Sequence, residues 1–404
     1  MNRVAVTGLG LVCALGNTVE ESWRRLLAGE CRIRLLSDPG NPPYKFSKGA
    51  EAWDFRPDDH FSEKELVMLE RFAQLAAVAA REAVAASGLR FDGELADRTA
   101  IVTGTSVGGQ LSEEEGYKRL YREGNPRVAP LTIPRTMTSA GASRISLEFG
   151  IHGPAYTVAT ACSSSNHAIG QAFSLVRGGA VTAAIAGGSE AVFAEGLLRA
   201  WEAMRVVSPD VCRPFSADRR GLSLGEGAGM LVLENWEHAQ ARGATVYGEI
   251  AGFGMSSDAH HLTQPCVEGP MKAMAWALRD AGLAPERVGY INAHGTGTQA
   301  NDATETEAIR GVFRGHADKL PVSSTKSMHG HTLGAAGAIE AIAALLALKH
   351  SQIPPTANYT APDPACNLDI VANEARSAKI EVALSNTFAF GGLNASLVLK
   401  RFAA

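Results

Sequence analysis

The chain has 404 residues, 46% of them hydrophobic and 20% charged, with a formal net charge of −4. Length and composition fit two or three domains of ~150 residues, or one fused α/β unit; they exclude a disordered chain and a globally basic nucleic-acid surface. No apolar run reaches the ~18 residues of a membrane span, and the six cysteines form no CxxC pair, so free thiols in a reducing cytoplasm are expected.

In chain order, residues 1–16 read as a first strand and turn, not as a cleaved signal. Residues 4–10, 99–109, 155–161, 182–191 and 228–234 read as buried strands that end in Gly-rich turns. The clearest helix spans 63–86: Ser62 and Glu65 form a capping box before it and Gly88 closes it. A second half begins near residue 250 and repeats the style. It has a strand and turn at 289–298, a strand at 321–327, a helix at 335–350, and strands at 382–388 and 395–401. The pattern predicts an α/β fold of two related halves, 1–250 and 251–404, with mixed sheets between helix layers. Residues 40–60 and 110–135 are polar and Pro-containing and read as surface loops or cap elements. The 42 glycines exceed a background of ~7% without any low-complexity tract, so they belong in tight turns and close backbone approaches.

Four segments carry chemistry. In AYTVATACSSSNHAIG (155–170) a strand ends at Cys162 and a helix follows. A thiol at a helix N-terminus has a lowered pKa, and the same unpaired N–H groups stabilise an oxyanion. The bland alternative is a buried inert cysteine, to which the other five are assigned. In NAHGTGTQAND (292–302), His294 follows a strand in a Gly/Thr turn that packing explains poorly; Thr296 and Thr298 offer hydroxyls to a polar ligand arm. SSTKSMHGHTLGAAGAIEA (323–341) places Lys326, His329 and His331 ahead of a small-residue helix containing Glu340, where the charges tune the imidazoles. A zinc site from His329 and His331 is disfavoured by their i, i+2 spacing, and His260–His261 reads as a polar loop pair. SNTFAFGGLNAS (385–396) is a strand and a Gly-Gly turn, with Phe388 assigned to core packing. GLGLVC (8–13) lacks the third small residue of a dinucleotide fingerprint. One thiol with two histidines is equipment for acyl-thioester chemistry.

Together these segments resemble the β-ketoacyl–acyl carrier protein (ACP) synthases, condensing enzymes of the thiolase fold. TAC (160–162), NAHGTGT (292–298), STKSMHGH (324–331), GAAGAIE (334–340) and NTFAFGG (386–392) occur in family order. His331 places the chain in the elongating, Cys-His-His branch. The stretches at 208–221, 327–331 and 353–366 resemble the nodulation-type subgroup. The resemblance implies two pseudo-repeated halves with mixed five-stranded sheets in an α-β-α-β-α layering. It implies a 3-oxoacyl-ACP synthase: Cys162 accepts an acyl group from acyl-ACP, and malonyl-ACP loses carbon dioxide and condenses with it. Cys162 and Phe390 would form the oxyanion hole from backbone N–H groups, and His294 and His331 would bind the malonyl thioester oxygen. Lys326 and Glu340 would hold charge and geometry, and Asp302 and Glu305 would support the loop. Thr263, Thr296 and Thr298 would contact the phosphopantetheine arm. Phe390 would gate the acyl pocket, with Val107 along it. No bound cofactor and no metal is implied, because the substrate arrives on the phosphopantetheine arm of ACP. The resemblance also implies a cytoplasmic homodimer in which residues 128–138 reach the neighbour's pocket.

The chain departs from the common elongating pattern at SSSN after Cys162, at His329, Ala389 and Leu393, and at RRGL (219–222). None of these touches the triad; they bear on acyl-chain preference, gating and the choice of carrier. An acidic carrier needs a local basic patch, expected from Lys118, Arg119, Arg122, Arg127 and Arg205. The alternatives are a chain-length-factor-like partner subunit, for which Cys162 has no use, and a thiolase acting on coenzyme A esters. A thiolase needs a second catalytic cysteine near the C-terminus, and none follows Cys366. A cysteine-protease-like hydrolase lacks its Asn/Asp partner pattern.

Overall fold

The computed structural model describes residues 1–402. Its framework is one eleven-stranded mixed sheet. In chain order the strands are β1 (Val4–Cys13), β2 (Thr99–Gly104), β3 (Ala155–Val158), β4 (Ala183–Glu190), β5 (Gly227–Asn235), β6 (Gly248–Ser257), β7 (Tyr290–Asn292), β8 (Pro321–Ser323), β9 (Asp369–Ile370), β10 (Val382–Ala389) and β11 (Leu393–Lys400). The helices that matter here are α1 (Arg71–Ser87), α2 (Ala140–Phe149), α3 (Ser164–Arg177), α4 (Glu195–Met204), α5 (Glu268–Asp280), α6 (Gln299–Phe313) and α7 (Ala336–His350).

The two halves repeat. From the middle outward, β1-β5-β4-β2-β3 mirrors β6-β11-β10-β7-β8, with β9 added at the far edge. In each half the two inner pairings are antiparallel and the outer ones parallel. Each half thus carries the expected mixed five-stranded set, and the two sets run on into one sheet. The halves are joined where Val4–Val6 pairs antiparallel with Gly248–Ile250, so their backbone groups satisfy each other instead of facing a sheet edge. Strand β6, not called from the sequence, opens the second half at Gly248.

The layering follows from which faces are apolar. Helices α1 and α2 cover one outer face, packed on Ile101, Ile185 and Val232. Helices α5 and α6 cover the other, on Ile291, Leu384 and Val398. Between them, α3 and α7 share a core with both halves, including Leu231, Leu233, Leu397 and Leu399. Both central helices are built from small residues and approach closely: a Cβ on Gly337 would meet Asn166 Oδ1 at 2.5 Å. Leu333–His350 is long and apolar enough to cross a membrane, which corrects the absence of such a run, but it is buried in this middle layer as a core helix.

The expected helix at 63–86 is two helices, Glu63–Met68 and α1, broken at Leu69–Glu70. The Ser62–Glu65 box caps the first, Glu70 takes the N–H of Phe72 to cap the second (2.8 Å), and Gly88 closes it at φ 67°. The 110–135 segment holds three short helical pieces. Because each central helix follows the third strand of its half, the turns before α3 and α7 open on the same end of the sheet. Those turns carry Cys162 and His331.

Candidate active site

Cys162 sits at a sharp turn between β3 and α3. Ala161 adopts φ 50°, a left-handed conformation unusual for a residue with a Cβ. The turn is held by the Ser163 and Ser164 N–H groups, which donate to Thr160 O (3.2 Å) and Ala161 O (3.1 Å). SSSN after the cysteine is thus used locally: Ser164 Oγ accepts from the Thr160 N–H (2.9 Å), and Ser165 Oγ takes the N–H of Ala338 on α7 (3.0 Å). The backbone N–H groups of Phe390 and of Cys162 itself lie near enough to the thiol to favour its charged form.

The charge state of Cys162 differs from the sequence expectation. Burial pushes the thiol up to about 12, against the opposing pull of the Lys326 cation and the Phe390 N–H. Burial thus favours the neutral thiol over the thiolate, and the proton has to leave as sulfur attacks. The site holds acceptors for it. Burial first, and the Lys326 charge second, hold His294 and His331 well below the ordinary histidine range, so both are neutral imidazoles.

His294 follows β7. The carboxylate of Glu305 on α6 accepts the N–H groups of His294 and Gly295, both at 2.8 Å. The buried Asp302 carboxylate takes the N–H groups of Phe215 (2.8 Å) and Gly297 (3.2 Å) and faces Arg219 at 3.7 Å. Both expected acidic residues therefore brace this loop. Thr298 caps α6 by accepting the Asn301 N–H and shares a 3.0 Å hydrogen bond with Thr296.

His331 is anchored through its backbone, which donates to Ser223 O (2.6 Å) and accepts from Gly225 N–H (3.0 Å). Its Nδ1 accepts the Leu333 N–H at 3.3 Å, which leaves the ring proton on Nε2. Behind the histidines, Lys326 Nζ and Glu340 Oε1 form an ion pair with no solvent exposure. Burial raises Glu340 to about 7 even against the Lys326 charge. His329 turns away, its Nε2 bonded to Thr325 Oγ1 (3.0 Å).

Cys162, His294 and His331 meet in one cavity of about 110 Å³. Thr263, Thr296 and Thr298 line it, and so do Phe388 and Phe390. Phe388 is thus both core and wall, with its ring edge to face against His294 at 6.2 Å. The Phe390 ring stacks on Trp201 of α4 at 6.1 Å. The turn after it needs glycine: Gly391 and Gly392 have φ 81° and 69°, and a Cβ on Gly392 would meet Asp258 at 2.4 Å. Gly391 donates to Leu262 O (2.7 Å) and Asp258 to Gly392 O (2.9 Å), which ties this turn to the 258–265 loop.

Two expectations are corrected. Val107 does not line this cavity; its backbone N–H turns to the buried Glu190 carboxylate (3.3 Å), which also takes Ser106 and Gly334 N–H groups. The basic patch is smaller than expected. Lys118 faces Glu114 and Glu195, Arg119 faces Glu115, and Arg122 faces Glu195. Among the described residues, Arg127 and Arg205 alone of the five have no carboxylate within 4.0 Å.

The sequence reading missed Trp201, Val206 and Leu222, which form the apolar wall, and His261, whose Nδ1 accepts the Thr263 and Gln264 N–H groups (both 3.1 Å). His261 had a signal in its nearness to Thr263. The apolar three had none, because only the fold brings them to Cys162.

Residues 1–239 match the family model for the beta-ketoacyl synthase N-terminal domain, and residues 247–360 that for its C-terminal domain. The chain is 48% identical over 399 residues to nodulation protein E of Rhizobium sp. (strain N33), covering 99% of each. It is 42% identical to 3-oxoacyl-[acyl-carrier-protein] synthase 2 of Staphylococcus aureus (strain N315), covering 100% of this chain and 99% of that one. Among solved structures it resembles the ishigamide ketosynthase/chain length factor (TM-score 0.95, 37% identity, 100% of both chains). It also resembles a type II ketosynthase solved with its acyl-carrier protein (TM-score 0.89, 29% identity, 99% and 100% coverage).

Proposed function

The chain belongs to the β-ketoacyl synthase family, and from that premise we propose how its own residues carry out the condensation. It is a 3-oxoacyl-ACP synthase of the elongating kind. The observation that carries the residue roles is the convergence of a thiol in a left-handed turn and two neutral imidazoles on one cavity.

In the first half-reaction the Cys162 sulfur attacks the thioester carbonyl of acyl-ACP. The negative charge that develops on that oxygen is met by the N–H groups of Cys162 and Phe390. The thiol proton passes to a neutral imidazole and then to the departing carrier thiolate. In the second, malonyl-ACP loses carbon dioxide, and the electron pair of the broken C–C bond forms an enolate. His331 donates its Nε2–H to the enolate oxygen, and His294 supplies a second donor. The carbanion attacks the acyl-Cys162 carbonyl, a carbon–carbon bond forms, the bond from that carbonyl to the Cys162 sulfur breaks, and the thiolate takes up one proton from solvent. Burial serves this step, since water would quench the carbanion. Burial first, and the charge of Lys326 second, keep both histidines neutral.

The partner is an acyl carrier protein, and no bound cofactor is called for beyond the arm it brings. Thr263, Thr296 and Thr298 offer that arm hydroxyls at the mouth, with Arg127 and Arg205 for the carrier's acidic surface. A second copy would cover the free edge of β3 and the exposed Tyr121, Ile133, Met137 and Leu147 nearby in sequence. The assembly is then a homodimer, and the setting a cytoplasmic one. The test measures the two half-reactions separately. His331→Ala and His294→Ala are expected to retain acyl transfer to Cys162 and to lose carbon dioxide release from malonyl-ACP. Unchanged decarboxylation in both variants would overturn the assignment.

A further inference from the structure

Glu190 is the last residue of β4, and it is fully buried. A carboxylate is costly to bury unless donors surround it, and here four do. Oε1 accepts the Thr105 hydroxyl (2.7 Å) and the Val107 N–H (3.3 Å); Oε2 accepts the N–H groups of Ser106 (2.6 Å) and Gly334 (2.9 Å). Three of these donors follow β2 in the first half of the chain. The fourth, Gly334, belongs to the second half and stands three residues after His331. One carboxylate thus ties the two halves together at the catalytic turn.

The junction leaves no slack. A Cβ on Gly334 would meet Ser106 N at 2.5 Å and Glu190 Oε2 at 2.6 Å, and a Cβ on Gly188 would meet Gly334 O at 2.7 Å. Between His331 and Gly334 the backbone is strained: Leu333 has φ 44°, a left-handed conformation that its Cβ disfavours. Such a conformation persists only where the surroundings hold it. In it, the Leu333 N–H reaches His331 Nδ1 at 3.3 Å, and that bond places the ring proton on Nε2.

We propose that Glu190 is a positioning residue for the condensation: by holding Gly334 it fixes the left-handed turn at Leu333, and through the Leu333 N–H it keeps His331 in the tautomer that donates Nε2–H to the enolate. This deepens the reading of His331 as an enolate donor and rests on it. Glu190 serves the second half-reaction and not the first, since its negative charge opposes a thiolate at Cys162.

The test compares acyl loading of Cys162 from acyl-ACP with carbon dioxide release from malonyl-ACP. Glu190→Met removes every acceptor at similar length. It is expected to retain loading and to slow carbon dioxide release by about 10- to 100-fold, the usual cost of losing a group that orients an imidazole through its neighbour. Glu190→Gln is expected to keep most of the release, because its carbonyl oxygen can still take the Gly334 N–H while its amide donates to Thr105. If Glu190→Met does not fold, Glu190→Asp, one methylene shorter, is read in its place with the same expected split. Nitrogen-15 NMR of His331 is expected to show the Nε2–H tautomer in wild type and a mixture in the variant that loses release. Unchanged release, an equal loss of loading and release, or an Nδ1–H tautomer in wild type would overturn the proposal. Carbon dioxide release at the wild-type rate from His331→Ala would instead overturn the enolate-donor reading, so the two failures are distinct.

Discussion

The rings of His294 and His331 stand edge to face, centroids 5.3 Å apart at 83°, although they come from different loops of the second half. Two imidazolium ions would repel at this distance, and the Lys326 cation behind them adds to the cost of charging either one. Each ring is therefore held neutral, with one N–H to donate.

That pairing has a pH consequence. A histidine whose pKa is lowered keeps its neutral form as the pH falls, until the lowered value is reached. Between about pH 5 and 8, where an ordinary histidine changes charge, neither ring is expected to titrate. Imidazole NMR on the resting enzyme checks this. A midpoint for either ring near the ordinary ~6.5 contradicts it.

The Lys326–Glu340 pair has no solvent contact, so each charge depends on the other. Truncating one partner of a buried pair typically costs ~3–5 kcal/mol because the survivor is left uncompensated. Lys326→Met is expected to lose that much stability in denaturant titration. Lys326→Met/Glu340→Leu is expected to recover a large part of it. Simple addition of the two single losses would show that the side chains do not act as a pair.

Arg219 holds the loop of Thr296 and Thr298 through Asp302 and by donating to Thr298 O (3.3 Å). Arg219→Ala leaves the Asp302 carboxylate buried without its cation. The KM for acyl-ACP is expected to rise at least roughly tenfold, equivalent to ~1.4 kcal/mol, with Arg219→Lys intermediate. Steady-state kinetics with an unchanged KM would contradict the bracing role.

The ion pairs on the 110–122 segment divide the basic residues into two groups. Arg127→Glu and Arg205→Glu are expected to raise the KM for acyl-ACP, more at low salt than at high salt. Lys118→Glu and Arg119→Glu are expected to change it less, since Glu114, Glu195 and Glu115 already face those cations. Equal effects across both groups would contradict the division.

The reactive residues were legible in the sequence because each lies in a connection of small and polar residues between a strand and a helix. A Cys before a helix, or a His in a Gly/Thr turn, has few packing explanations. The repeat was legible for the same reason, since both halves run strand, turn, helix. The joint between the halves was not, because the pairing of Val4–Val6 with Gly248–Ile250 is a contact of long sequence separation. Trp201 and Leu222 read as ordinary core residues until the fold lays α4 beside Cys162. The neutralised patch was hidden likewise: Glu195 meets Lys118 only after the 110–122 segment docks on α4. The upward pull of burial on the thiol was not legible, because helix position is visible in a sequence and depth of burial is not.

That Cys162 carries the acyl group is tested most directly by intact-protein mass spectrometry after incubation with acyl-ACP. Wild-type enzyme is expected to gain the mass of one acyl group, mapped to Cys162, and Cys162→Ala to gain none. An acyl group on another residue, or equal loading of Cys162→Ala, would contradict it.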